Sequence, residues 1–187
     1  MELVRDRKCG ECTVCCVAPG IDTEEFQKMP GVPCKHLCAG ACSIYPTRYI
    51  PCQAFYCGWR YLDVLGDEWR PDKCGVMLRF EPKANLPPPY EGELIVWLIS
   101  QPPGGFGPVL LDFVARVIAA DRIRVKLVPL TPPGCVPVET LLNDALRQPA
   151  LKGDLAPIEA VFSEAMTLAS TAPHLFKPYV NRHDTNS

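Results

Sequence analysis

The chain has 187 residues, 48% of them hydrophobic, a formal net charge of −2 and 11 cysteines. That length and composition suit one domain, or one domain with a small attached module, and exclude wholesale disorder. There is no basic block to track a phosphate backbone and no basic amphipathic segment, so neither nucleic acid nor a membrane is an expected partner.

In chain order, MELVRDRKCG carries charges and no apolar run, so it does not read as a secretory signal. Next comes KCGECTVCC, with Cys9, Cys12, Cys15 and Cys16. FQKMPG, from Phe26, predicts a short helical turn. QAFYCGWRYLDVLGDEW, from Gln53, spaces Phe55, Trp59, Leu62 and Leu65 as a helix would. EPKANLPPPY, residues 81–90, reads as a boundary, because three consecutive prolines exclude helix and central strand.

Beyond it, GELIVWLIS is a bounded apolar run and predicts a buried strand. Its LIVWLI core, the longest apolar run, is too short to span a bilayer, so a cytoplasmic location is expected. GPVLLDFVARVIAAD predicts an amphipathic helix, with Val109, Leu110, Phe113, Val114, Val117 and Ile118 inward and Pro108 in its first turn. RIRVKLVPL alternates Ile123, Val125 and Leu127 with Arg122, Arg124 and Lys126, the period of a half-buried strand. Strand, helix, strand suggests a crossover pairing. PVETLLNDALRQ predicts a helix packing on Leu141, Leu142, Ala145 and Leu146. APIEAVFSEAMTLAS predicts another, with Ile158, Val161, Phe162, Ala165 and Met166 inward, and the tail VNRHDTNS should fray. The expected fold is α+β. A metal-stapled cysteine-rich region, residues 1–80, packs on a small strand–helix–strand unit with C-terminal helices, residues 91–178, as a separate unit or as one domain with it.

Ten of the 11 cysteines lie between Cys9 and Cys74. An odd total and a reducing compartment argue against a disulfide framework. Thiolates are soft ligands for zinc or for the irons of a cluster. A CxxC step lets two sulfurs converge across a tight turn, and it occurs twice in succession through Cys9, Cys12 and Cys15, with Cys16 pointing elsewhere or replacing Cys15. Cys34, Cys38, Cys42, Cys52 and Cys57 supply a second group, with Cys74 more distant; eight thiols would complete two tetrahedral sites. A free cysteine is also a good small core residue, the reading for Cys135 and an equal one for Cys74. His36 reads as a surface or outer hydrogen-bonding group, His174 and His183 as surface residues, and Glu11 and Asp22 as solvated charges. There is no Gly-rich nucleotide loop and no Ser-His-Asp or Cys-His arrangement.

CGECTVCC, then CKHL with Cys34 and Leu37, then CSIYPTRYIPC with Cys42, Ile44, Tyr45, Arg48 and Cys52 together resemble the CxxCxxCC family of zinc- or iron-chelating domains. The chain departs from that pattern at Tyr49, where the family has proline, and at Gln53, where an arginine often follows the cysteine. The resemblance, over roughly residues 9–57, implies that Cys9, Cys12, Cys15, Cys16, Cys34, Cys42 and Cys52 bind zinc or an iron–sulfur (4Fe-4S) cluster. Cys38 and Cys57 stand outside the matching pattern. Some members of that family are linked to a lysine-methylase architecture.

Three function classes follow. The first is a metal-binding protein, acting as a structural or redox partner. The second is an iron–sulfur enzyme related to protein-modifying systems, with Arg48, Tyr45 and Tyr49 near its site; packing around the ligand loop is their simpler role. The third is a zinc-stapled interaction module with an apolar patch near Trp59 and Trp69 to meet a protein partner.

Overall fold

The computed structural model of the chain describes residues 2–83 and 85–180. Its thiol-rich third forms only short elements. These are α1 (Val14–Val17), the hairpin β1 (Ile21–Asp22) and β2 (Gln27–Lys28), the hairpin β3 (Leu37–Cys38) and β4 (Ala41–Cys42), then α2 (Ile50–Ala54), α3 (Gly58–Tyr61) and α4 (Pro71–Cys74).

Two local expectations fail here. The turn at FQKMPG is strand β2: Lys28 pairs with Ile21, and the Phe26 amide donates to Thr23 Oγ1 at 3.1 Å. The helix expected from Gln53 is broken into the end of α2, α3 and a 3-10 turn at Asp67–Trp69. The backbone runs extended at Phe55 and at Cys57, which lets Gly58 seat against β5 (Val76–Pro82). A Cβ on Gly58 would lie 3.1 Å from that of Leu78. Trp59 and Leu65 are buried nonetheless, so the apolar spacing marked core residues and misread their conformation.

β5 leads through residues 83–91 into β6 (Gly92–Leu98), its antiparallel neighbour. The proline-rich segment is therefore a hairpin connection, and the sheet takes a strand from each side of it. α5 (Pro108–Ala120) then crosses to β7 (Ile123–Pro129), which pairs parallel with β6. The crossover suggested by the strand–helix–strand order is present. β8 (Thr140–Leu141) adds an antiparallel edge, giving the order β5-β6-β7-β8.

α5 buries Leu110, Leu111, Val114, Ala115 and Ile118, while Val109 is 63% exposed; the helix is turned so that Leu111 takes the inward place. α6 (Asn143–Leu151) begins later than its sequence suggests, because Thr140 and Leu141 are drawn into the sheet. Leu142, Leu146 and Ala150 pack inward, and Leu141 and Ala145 are exposed. Asn143 fixes the join: its Oδ1 accepts from the Val125 amide at 2.7 Å and its Nδ2 donates to the Ile123 carbonyl at 3.0 Å. α7 (Ala156–Thr171) buries Ile158, Phe162 and Ala169. Val180 is exposed; the rest of the tail, with His183, lies outside the described residues.

Strand alternation gives the sheet two faces. Leu78, Leu94, Val96, Val125 and Leu127 join α5, α6 and α7 in the main core, with Trp59 and Leu65 at the edge. Met77, Trp97 and Ile99, with Leu130, meet Val14 and Ala18 of the thiol-rich region on the other face. On that second face Glu93 is fully buried, and it forms ion pairs with Lys83 at 2.6 Å, Lys126 at 3.4 Å and Arg124. Among the described residues no helix is long and apolar enough to cross a membrane.

Candidate metal centre

The first thiols are set by a tight turn. Gly10 takes a left-handed φ of +54°, which suits glycine, and the Cys12 amide donates to the Cys9 carbonyl at 2.9 Å. Val14 and Ala18 anchor α1 on the sheet through Met77, and this holds Cys15 and Cys16 over it. The Cys34 amide donates to the Cys16 carbonyl at 2.9 Å and so ties in the next loop. The hairpin β3–β4 returns Cys42 opposite Leu37, and α2 carries Cys52.

Arg7 fastens the arm that carries Cys9. Its guanidinium donates to the carbonyls of Leu62 at 2.8 Å, Asp63 at 3.3 Å, Trp59 and Leu65. It also lies over the Trp59 ring at 5.5 Å. One residue thereby joins the start of the chain to α3 and the loop after it.

All seven thiols of the matching pattern, Cys9, Cys12, Cys15, Cys16, Cys34, Cys42 and Cys52, line one cavity of about 430 Å³. Lys28, Asp22, Phe26, His36, Tyr45, Arg48 and Tyr49 share its wall. The thiols surround a space and do not grip a point: among the described residues no three His, Cys, Asp or Glu side chains are placed to hold one ion. The aromatic lining is tightly packed. Tyr49 stacks on Phe26 at 4.4 Å, Arg48 lies over Tyr45 at 4.1 Å, and His36 Nε2 is 3.4 Å from the Tyr49 hydroxyl.

The remaining cysteines separate from one another. Cys57 is half-buried and packs with Cys12 and Cys15 against the Val14–Ala18–Met77 cluster. Cys38 is exposed. Cys74 packs on the main core and its thiol donates to the carbonyls of Val76 at 3.1 Å and Trp69 at 3.5 Å. Cys135 sits in a bridge with Pro178. Glu11 and His174 are exposed, as expected; Asp22 is half-buried in the cavity wall and is not a solvated charge. Trp59 is only 5% exposed and Trp69 packs edge-on to Phe113, so the apolar surface patch expected there is core.

Electrostatics mark the same place. Lys28 is 6% exposed, and its Nζ donates to the carbonyls of Val17 at 2.8 Å, Val32 at 2.9 Å and Met29 at 3.0 Å. Burial pulls this ammonium down to about 8, against the opposing charge of Cys34, Cys16, Cys15 and Cys52. Buried lysine charge is rare without a counter-charge, and the four thiols near it would supply one only as thiolates. Cys15 hydrogen-bonds to Cys16, which raises the first and lowers the second. Burial pushes Cys12 and Cys57 each up to about 11, although backbone amides donating to both sulfurs work against it. Cys12 also hydrogen-bonds to Asp72, whose carboxylate is held below its ordinary range by Arg70 at 2.7 Å.

Neither protein-family models, nor curated proteins, nor solved structures match the chain. Two residues that shape the site gave little sign of doing so in the sequence. Lys28 sits in a polar-looking stretch, and Arg7 is one of several early charges. Arg7 is singled out only by carbonyl partners distant in sequence, and Lys28 only by its burial.

Proposed function

We propose that this chain is a metal-binding protein that holds an iron–sulfur cluster, or zinc, through cysteine thiolates. The observation that carries the reading is that the seven predicted ligands, drawn from residues 9 to 52, line a single cavity. The donor set is soft and suits either choice. The two choices differ in the sulfur spacing they require. Four sulfurs about 2.3 Å from one zinc must lie within roughly 4 Å of one another. Thiols that each bind a different iron of a cluster stand further apart. Lys28 supports metal binding of either kind, as a buried ammonium among groups that become anionic on binding. Apart from Leu37, the motif residues named for the CxxCxxCC resemblance are these same wall residues.

When bound, a cluster would supply electron transfer or an open iron as a Lewis acid; zinc would staple the fold, at about 10 kcal/mol or more of apparent binding energy. The 11 cysteines are all free thiols, so each is available as a ligand. An enzymatic role, related to lysine-methylase-like systems, is the second reading. Arg48 favours it: it lines the cavity and its buried Nε makes no hydrogen bond.

Anaerobic purification with metal analysis and a visible spectrum tests the proposal. Bound iron and sulfide with broad absorption near ~400 nm is the expected result. Stoichiometric zinc without colour would move the assignment to zinc. Folded protein with neither metal would refute it.

A further inference from the structure

We infer that the thiol-lined cavity also binds a small organic carboxylate with an aromatic body, the carboxylate held by Arg48 at the cavity mouth. Such a ligand would sit beside the proposed metal and does not depend on it.

The cavity has two ends. Lys28, 6% exposed, marks the deep one. Tyr45, 48% exposed, marks the mouth, and the Arg48 guanidinium lies over its ring. At about 430 Å³ the space falls in the range of small-molecule pockets, which are mostly apolar with a few polar groups that fix the ligand. Phe26, Ile44, Tyr49, Pro51 and Phe55 supply the apolar lining, and a flat ring suits it.

The charges on the wall select an anion. Lys28, Arg48 and Arg79 line the cavity against one carboxylate, Asp22. An ammonium has three donors, and Lys28 spends them on the carbonyls of Val17, Met29 and Val32. Arg79 is paired with Glu81 at 2.9 Å and lies over the Phe55 ring. His36 Nε2 and the Tyr49 hydroxyl share a hydrogen bond at 3.4 Å.

Arg48 differs from the other two cations. Its Nε is buried and makes no hydrogen bond among the described residues. Buried donors are nearly always paired, so this one is a place for an acceptor. Stacking on Tyr45 uses the face of the guanidinium and leaves its in-plane edge for two parallel bonds to a carboxylate. Tyr45 is half-exposed, so its ring can turn aside and open that edge. The backbone holds Arg48 in place: it sits between the 3-10 turn Tyr45–Thr47 and α2, and its carbonyl accepts from Gln53 Nε2. One uncommitted guanidinium matches a single negative charge better than a phosphate dianion.

Isothermal titration calorimetry of anaerobically purified protein of known metal content tests this with benzoate and its neutral counterpart, benzyl alcohol. Benzoate should bind about tenfold or more tighter than benzyl alcohol. Arg48→Met keeps much of the apolar stem and loses the donors; it should weaken benzoate about tenfold and leave benzyl alcohol unchanged. Arg116→Met, at an exposed pair on α5, should alter neither. Equal affinity for the two probes, unaltered benzoate affinity in R48M, or inorganic phosphate binding as tightly as benzoate overturns the inference. Should R48M fail to fold, the two probes on the wild type decide alone. Benzoate bound by wild-type protein that carries no metal overturns the metal reading and leaves this one standing; metal without benzoate binding does the reverse.

Discussion

Replacing Glu93 with glutamine probes the acid buried on the sheet face that carries the thiol-rich region. Its side chain has no exposed surface, and Lys83, Arg124 and Lys126 converge on it. Burial alone would raise its carboxyl, but the hydrogen bonds from Lys83 and Arg124 and the Lys126 charge bring it from the usual 4.5 to about 2. A difference of that size corresponds to ~3 kcal/mol of stability. The sign is that of a depressed acid: the contribution is full above about pH 5 and is lost as pH falls through 4.5 towards 2. Glu93→Gln should therefore be ~3 kcal/mol less stable than wild type at pH 7, and the gap should be roughly halved at pH 3. Denaturant unfolding of both proteins at equal metal content, from pH 3 to pH 7, measures the gap; effects common to both proteins, such as protonation of ligating thiols, cancel in it. A gap below about 1 kcal/mol at pH 7, or one that does not narrow on acidification, would show that the three cations do not hold the carboxylate as the geometry indicates.

Two further substitutions address the site. Arg7→Ala leaves several half-buried carbonyls without their charged donor, which costs on the order of 1.5–3 kcal/mol for a bond to a charged group. Loss of the proposed metal to a chelator should then quicken about tenfold or more. Lys28→Met removes a buried positive charge beside the thiolates, worth on the order of 1–3 kcal/mol. The metal content of anaerobically prepared protein should fall, with little change in secondary structure by circular dichroism.

The long periodic segments were legible because each carries its own pattern. β6, α5, β7 and α7 all lie where alternation or a helical stripe predicts, since burial against a sheet imposes the same period on sequence and structure. The thiol-rich third was legible as chemistry but poorly as conformation. Phe55, Trp59, Leu62 and Leu65 share helical spacing yet belong to separate short elements, because the chain extends through Cys57 before Gly58 docks on Leu78. The set of seven cavity thiols came from the resemblance to the CxxCxxCC pattern; spacing alone left Cys38 and Cys57 beside them. Cys57 could not be assigned, since nothing in QAFYCGWRY distinguishes a ligand from a packed thiol. Glu93 reads from the sequence as one polar residue at a strand start, and its three partners come from two other segments.

The floor beneath α1 has a consequence for synthesis. It is built from Met77, Trp97, Ile99 and Leu130, so Cys9 to Cys16 leave the ribosome well before the surface that positions them exists. At about 5–20 residues per second the wait from Cys16 to Leu130 is on the order of ten seconds. Through that interval the nascent thiols are unshielded. Any metal taken up by the proposed site could be held there only after translation has passed the last strand of the floor.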